Sequence, residues 1–200
     1  MRMGKQMRCA PAEFRAKRAE NGEKRIEGYF STFDGRYEMP WGDYETVAPG
    51  AFDGALDDDI RALIDHESRL VLGRTTAKTL ELRVDAHGLW GSILVNENDQ
   101  DAMNLYARVE RGDVSQCSFG FEILEESYEV LPDQKVHWTI ERVRLFEVSV
   151  VTFPAYENTS VEARKQMSDA IKERALDRWK ITMRERLANG TQTTGDHQKD

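Results

Sequence analysis

The sequence predicts an α+β domain, built on a mostly antiparallel sheet or a small β-barrel flanked by helices. Three observations predict it. Short runs rich in β-branched and aromatic residues recur between residues 26 and 153, punctuated by Gly, Pro and Asp. Two stretches carry a helical apolar period with capping residues at their ends. The 200 residues include 40% hydrophobic and 32% charged side chains, enough large apolar residues to exclude a disordered chain and enough length for one buried core.

Residues 1–24 lack a sustained apolar period and read as a flexible, frayed or weakly helical arm, with the ordered domain starting near Arg25. Strands follow at 26–33, 44–47, 70–75, 80–84 and 89–95, the last two joined by Asp85-Ala86-His87-Gly88 as a hairpin. Asp99 caps a helix over 101–111 that Gly112 ends, with Met103, Leu105, Tyr106 and Val109 on its apolar face. Strands resume at 116–130, 135–141 and 143–153. A second helix begins at the capping box Thr159-Ser160-Val161-Glu162 and runs to about Leu187, its apolar face marked by Ala163, Met167, Ala170, Ile171, Ala175, Leu176 and Trp179. The expected divisions are an arm (1–24), a central domain (25–159), a C-terminal helix (160–188) and a disordered tail (189–200).

No apolar run approaches the roughly 18 to 20 residues of a membrane span, and the N-terminus is not a signal core, so the expected compartment is the cytoplasm. Two cysteines, Cys9 and Cys117, exclude a disulfide scaffold and a thiolate zinc cluster. The net charge of -8 is unevenly spread. Residues 26–159 hold 11 Lys or Arg against 26 Asp or Glu, whereas residues 1–25 hold 8 against 3. An acidic body argues against nucleic-acid binding, which needs clustered cations.

Three segments carry candidate chemistry. His66, in Ala62-Leu63-Ile64-Asp65-His66-Glu67, sits at an expected strand end, where a scaffold can present an imidazole to a cleft; composition alone favours a surface histidine between two acids. Asp65, His66 and Glu67 do not form a metal set, because consecutive strand residues alternate faces. Ser118, in Gln116-Cys117-Ser118-Phe119-Gly120-Phe121, enters a strand between aromatics and beside a glycine that admits a substrate backbone. It also reads as an ordinary small polar residue at a strand start. Cys117 competes as a nucleophile, but alternation puts it on the opposite face from Ser118. In Arg144-Leu145-Phe146-Glu147-Val148-Ser149-Val150-Val151, alternation places Glu147 and Ser149 on one face. A carboxylate among such apolar neighbours needs a partner, either an imidazole N–H or Arg142 or Arg144.

Taken together, these segments resemble the HK97-type bacteriophage prohead (maturation) protease family. Ile26-Glu27-Gly28-Tyr29-Phe30-Ser31, Val47-Ala48-Pro49-Gly50-Ala51-Phe52, Asp65-His66, Gly73-Arg74-Thr75, Ser118-Phe119-Gly120-Phe121 and Glu147-Val148-Ser149-Val150-Val151-Thr152-Phe153-Pro154-Ala155 occur in the family's order. The resemblance implies a serine endopeptidase with a fold similar to the herpesvirus assembly proteases, a β-barrel surrounded by helices. It assigns Ser118 as nucleophile, His66 as general base and then acid, and Glu147 as the residue that orients His66, with Glu141 as a fallback. The herpesvirus relatives have a histidine in the third place; a carboxylate serves the same role. The sequence does not assign the oxyanion donors; a backbone donor near Pro154, which has no N–H, would have to be Ala155 or Tyr156.

The implied partners are the major capsid protein with its scaffolding region and a second copy of the chain, inside the prohead in the host cytoplasm. No cofactor, metal, membrane or nucleic acid is expected, and both ends of the chain are candidate self-cleavage segments. Two other readings stay open: a non-catalytic scaffold-binding module of the prohead, and a Cys117-dependent hydrolase.

Overall fold

The structure is a computed structural model that describes residues 6–11, 14–153 and 158–190. Among these the chain runs through β1 (Gln6–Pro11), β2 (Arg15–Arg18), β3 (Lys24–Thr32), β4 (Tyr37–Glu38), β5 (Tyr44–Val47), β6 (Arg61–Ile64), β7 (Glu67–Arg74), β8 (Leu80–Val84) and β9 (Gly88–Leu94). Helix α1 (Gln100–Arg111), β10 (Gln116–Val130), β11 (Val136–Val151) and helix α2 (Asn158–Gly190) complete it. No helix among the described residues is long and apolar enough to cross a membrane.

The α+β class holds, but no barrel closes among the described residues. One sheet has the order β1-β10-β11-β5-β4, with β6 on β11 and β7 on β6; the other has the order β2-β3-β9-β8. The chain leaves the first sheet at Pro11, which has no N–H to extend the ladder, and enters the second at Arg15. The first sheet is mixed, because β5 and β6 both lie parallel to β11. The expected flexible arm over 1–24 is corrected where it is described, since residues 6–11 and 15–18 are strands paired with β10 and β3. These runs are too short and too basic to show a period; their ladders come from the edges they meet. Of the expected tail over 189–200, residues 189–190 continue α2 and the rest lie outside the described residues.

The two sheets share one core. Ile26 and Phe30 from β3, Leu89 and Ile93 from β9, Phe119 and Phe121 from β10, and Val148 and Val150 from β11 are all fully buried. Phe119 stacks on Phe121 with ring centroids 4.6 Å apart, and Phe52 meets Phe119 edge-on at 5.7 Å. A Cβ at Gly91 would come within 2.5 Å of the Phe30 ring, so only glycine lets β9 lie flat there. Helix α1 closes the core through Leu105, Tyr106 and Val109. As expected, Asp99 caps it, accepting from Asp101 N at 2.9 Å and Ala102 N at 3.3 Å, and Gly112 ends it at φ 88°.

The strands expected at 135–141 and 143–153 are one continuous β11, which ends at Val151 and leaves Phe153 exposed. Its far half meets α2, where Ile171 and Met167 pack on Val136 and Trp138. Beyond Ile171 the expected apolar face is uncovered: Leu176 and Trp179 are exposed.

Two buried acids fasten α2 to the sheet. Asp43 accepts from Lys172 Nζ at 2.8 Å, Trp41 Nε1 at 2.7 Å, Val136 N at 2.9 Å and the Ser168 hydroxyl. Glu45, with no exposed surface, accepts from the guanidinium groups of both Arg8 and Arg164. Arg164 also reaches Glu126 at 2.7 Å and lies over the Trp138 ring. Burial pushes the Glu45 carboxyl up, but the charges and hydrogen bonds of Arg8 and Arg164 together outweigh it and hold the pKa below the ordinary 4.5.

Replacing Glu45 by alanine leaves two guanidinium groups buried without their shared partner and is expected to cost about 3–5 kcal/mol in urea denaturation. Because the folded-state pKa is depressed, the stability that Glu45 contributes is present above pH 4.5 and is lost as pH falls below that value toward the folded pKa. Urea titrations stepped downward from pH 5 should show that loss in the wild type and not in Glu45→Gln.

Candidate active site

His66, expected at a strand end, lies in a turn two residues past Ile64, the last residue of β6. Asp65 and His66 form the two-residue turn between β6 and β7, with φ of 46° and 62°. Positive φ at both positions defines a type I′ turn, whose twist suits a tight hairpin and normally recruits Asn and Gly. A histidine held there stores backbone strain of about 1–3 kcal/mol.

The surroundings over-determine that conformation. Residues 61–64 pair in parallel with residues 147–150 of β11, and Asp65 N donates to Val150 O at 3.0 Å. The Asp65 carboxylate accepts from Thr152 N at 2.7 Å and Thr152 Oγ1 at 3.2 Å. Asp65 therefore anchors the turn to the end of β11 and does not orient the imidazole. Gly73-Arg74-Thr75 secures the approach to β6: Arg74 Nε binds Asp59 at 2.7 Å, and the Thr75 hydroxyl accepts from Ile60 N at 3.0 Å. The hydrogen bonds of Arg74 hold the Asp59 carboxyl well below the usual range.

With the turn fixed, His66 Nδ1 comes 2.7 Å from Glu147 Oε1, and both side chains are more than nine-tenths buried. An ionised carboxylate only accepts, so Nδ1 carries the proton and the neutral ring keeps its lone pair on Nε2. His66 Nε2 is buried with no hydrogen-bond partner among the described residues. Glu147 Oε2 accepts from the Ser149 hydroxyl at 2.7 Å. The sequence placed Ser149 on Glu147's face but gave no sign of this bond, which depends on two rotamers meeting across one strand repeat.

Ser118 lies directly across β10–β11 from Ser149, and Gly120 from Glu147, so all four share one face of the sheet. The expected His66–Glu147 pair is thus formed, and Ser118 is in the adjacent strand, but no hydrogen bond joins Ser118 to His66. Ser118 is fully buried, and its hydroxyl donates to the Arg8 carbonyl at 3.0 Å.

Cys117 is on the opposite face, inside the core, where its thiol donates to Tyr29 O at 2.9 Å. Glu141 is exposed and accepts from the Ser127 hydroxyl at 2.6 Å. Arg142 pairs with Glu125 and Arg144 with Asp58, so neither is Glu147's partner in these ion pairs. Ala155 and Tyr156, the expected oxyanion donors, lie outside the described residues, as do the side chains of the capping box's Thr159 and Ser160.

A family model described as caudovirus prohead serine protease matches residues 11–174. The chain belongs to the caudovirus prohead serine protease family. The family match runs from the end of β1 into the first half of α2, so it takes in β2 and the helical turns that carry Arg164 and Ser168. The prohead protease of Enterobacteria phage HK97 is 27% identical over 154 residues, a match covering 77% of this chain and 66% of that protein, just under two thirds of its length. No solved structure matches.

Asp65→Ala removes both bonds to Thr152 and the side chain that tolerates positive φ. It is expected to lower stability by about 1–3 kcal/mol in urea and to speed hydrogen exchange at the Thr152 amide, while the Asp99-capped α1 amides keep their protection.

Proposed function

We propose that this family member is a serine endopeptidase in which Ser118 is the nucleophile, His66 the general base and then acid, and Glu147 the orienting carboxylate. The observation that carries the reading is the buried His66–Glu147 pair, with the basic nitrogen of His66 left without a partner among the described residues. A buried imidazole so arranged has its tautomer chosen and its cationic form stabilised by the carboxylate, as acyl transfer from a serine requires.

In that scheme the Ser118 hydroxyl leaves the Arg8 carbonyl and donates to His66 Nε2. Its oxygen then attacks the scissile carbonyl carbon while the proton moves to Nε2. Collapse of the tetrahedral intermediate breaks the C–N bond, and His66 returns the proton to the leaving amine. Water, deprotonated by His66, then attacks the acyl-serine ester, which breaks to release the acid and restore the Ser118 hydroxyl. Ser149 keeps the Glu147 carboxylate from rotating away from the ring. Glu147 is preferred to Glu141, whose bond to Ser127 belongs to the far part of the hairpin.

The family supports the wider setting: cleavage of the scaffolding region of the major capsid protein and of the protease itself, within the prohead in the host cytoplasm, without cofactor or metal. The match over 11–174 supports a protease unit that takes in β2 and the first half of α2, wider than the expected 25–159 with a separate helix over 160–188; a kinship of fold with the herpesvirus assembly proteases remains part of the proposal. A second reading, a non-catalytic module that binds scaffold, is favoured by one observation: Ser118 is fully buried with its hydroxyl engaged elsewhere.

A fluorophosphonate probe, located by mass spectrometry, is expected to modify Ser118 in the wild type. Ser118→Ala should abolish capsid-protein cleavage, Cys117→Ser should retain it, and Glu147→Gln should lower the rate by roughly 10³–10⁴-fold. Stoichiometric binding of the capsid protein without cleavage, and without Ser118 modification, would establish the second reading instead.

A further inference from the structure

The acyl-transfer scheme has no use for β1, yet β1 receives the nucleophile's hydroxyl. This strand pairs antiparallel with β10 from Gln6↔Phe121 to Pro11↔Gln116 and forms the outermost strand of its sheet. It brings Cys9 opposite Ser118 and the Arg8 carbonyl to 3.0 Å from Ser118 Oγ. An extended backbone laid along β10, with a carbonyl at the serine, is what a bound substrate strand presents, and a sheet edge is suited to accept one.

Beyond its ladder, β1 is secured by Arg8, which is 4% exposed. Its Nε and Nη2 reach the two oxygens of Glu45, the latter at 3.0 Å, and Nη2 also binds Gln6 Oε1 at 2.7 Å. The fit is imperfect: Gln6 Nε2 is buried with no partner among the described residues. Glu45 is fully buried, so losing Arg8 removes one of its two counter-charges, and an incoming cation restores it.

We infer that the β10 edge beside Ser118 is the peptide-binding site, that an extended peptide pairs antiparallel with β10 in the place of β1, and that Glu45 receives a basic side chain in the position of Arg8. The inference rests on Ser118 being the nucleophile for its catalytic meaning. In this arrangement β1 is the site's own occupant, and the serine is reached only by a peptide that displaces it.

A reversible clamp tests the exchange in the full chain. Pro11 and Gln116 are direct cross-strand partners, a spacing that a disulfide can bridge, so Pro11→Cys with Gln116→Cys in a Cys9→Ser background locks β1 onto β10 when oxidised. The probes are a fluorescent hexapeptide with the sequence of residues 6–11, serine replacing its cysteine, and an analogue with glutamate in the Arg8 position.

Reduced protein is expected to bind the basic peptide at least about tenfold more tightly than the analogue, a difference of about 1.4 kcal/mol. Oxidation should abolish both peptide binding and fluorophosphonate modification of Ser118, and dithiothreitol should restore them. Equal binding in the two redox states overturns the strand exchange, and equal affinity for the two peptides overturns the role of Glu45. If peptide binding follows the clamp but Ser118 is never modified, the nucleophile assignment fails while the docking site stands.

Arg8→Glu provides a version without a disulfide. Repulsion from Glu45 should free β1, raising the rate of Ser118 modification by about tenfold or more and speeding amide exchange across residues 7–10. Unchanged rates for both would count against the proposal.

Discussion

Everything that matters to the site hangs on the antiparallel pairing of β10 with β11. The register that sets Ser118 opposite Ser149 and Gly120 opposite Glu147 places the nucleophile candidate and the carboxylate on one face, in neighbouring strands. β11 then carries β6 in parallel beside residues 147–150, and the hairpin that follows returns His66 to Glu147. A slip of one residue would turn Ser118 into the core and Cys117 out of it. Phe119 and Phe121, fully buried on the core face, make that slip costly, so apolar packing on one side of the sheet fixes the chemistry on the other.

The acidic balance of residues 26–159 conceals two kinds of carboxylate. Most are exposed and matter to solubility. Glu27, Asp43, Glu45 and Glu147 are buried, and the last three are each surrounded by donors chosen for them: a lysine with hydroxyl and N–H groups, two guanidinium groups, and an imidazole with a hydroxyl. The difference in partners separates their roles. A guanidinium is a permanent cation, so Glu45 forms a fixed tie between β1, β5 and α2. An imidazole can accept and release a proton, so the pair it forms with Glu147 can take part in acyl transfer.

Periodicity revealed what depends on a single element. The alternation of 116–130 located β10 to the residue, Asp99 and Gly112 located α1, and the cost of burying Glu147 among valines pointed to a partner. What depended on two elements meeting was hidden. Residues 6–11 and 15–18 are strands because β10 and β3 offer them edges, and nothing in Gln-Met-Arg-Cys-Ala-Pro announces it. The His66 turn was read as a strand end because a type I′ turn without glycine or asparagine has no local signature; its positive φ is enforced by Thr152, 87 positions away. The barrel was expected because strand runs do not reveal which ladders stay open.

The Ser118 hydroxyl is held by the Arg8 carbonyl, while His66 Nε2 is buried with no hydrogen-bond partner among the described residues. Exchanging one neutral hydrogen bond for another changes the energy by about 1 kcal/mol or less, and the exchange would relieve the orphaned nitrogen. In the proposed mechanism the hydroxyl's own bond is therefore a weak restraint. In the proposed strand exchange the stronger one is the docking of β1, whose ladder with β10 is joined by the Arg8–Glu45 contact, and Glu45 is shared with α2 through Arg164. β1 and α2 thus converge on one buried carboxylate, 73 positions before Ser118 in sequence and apart from the proposed catalytic residues.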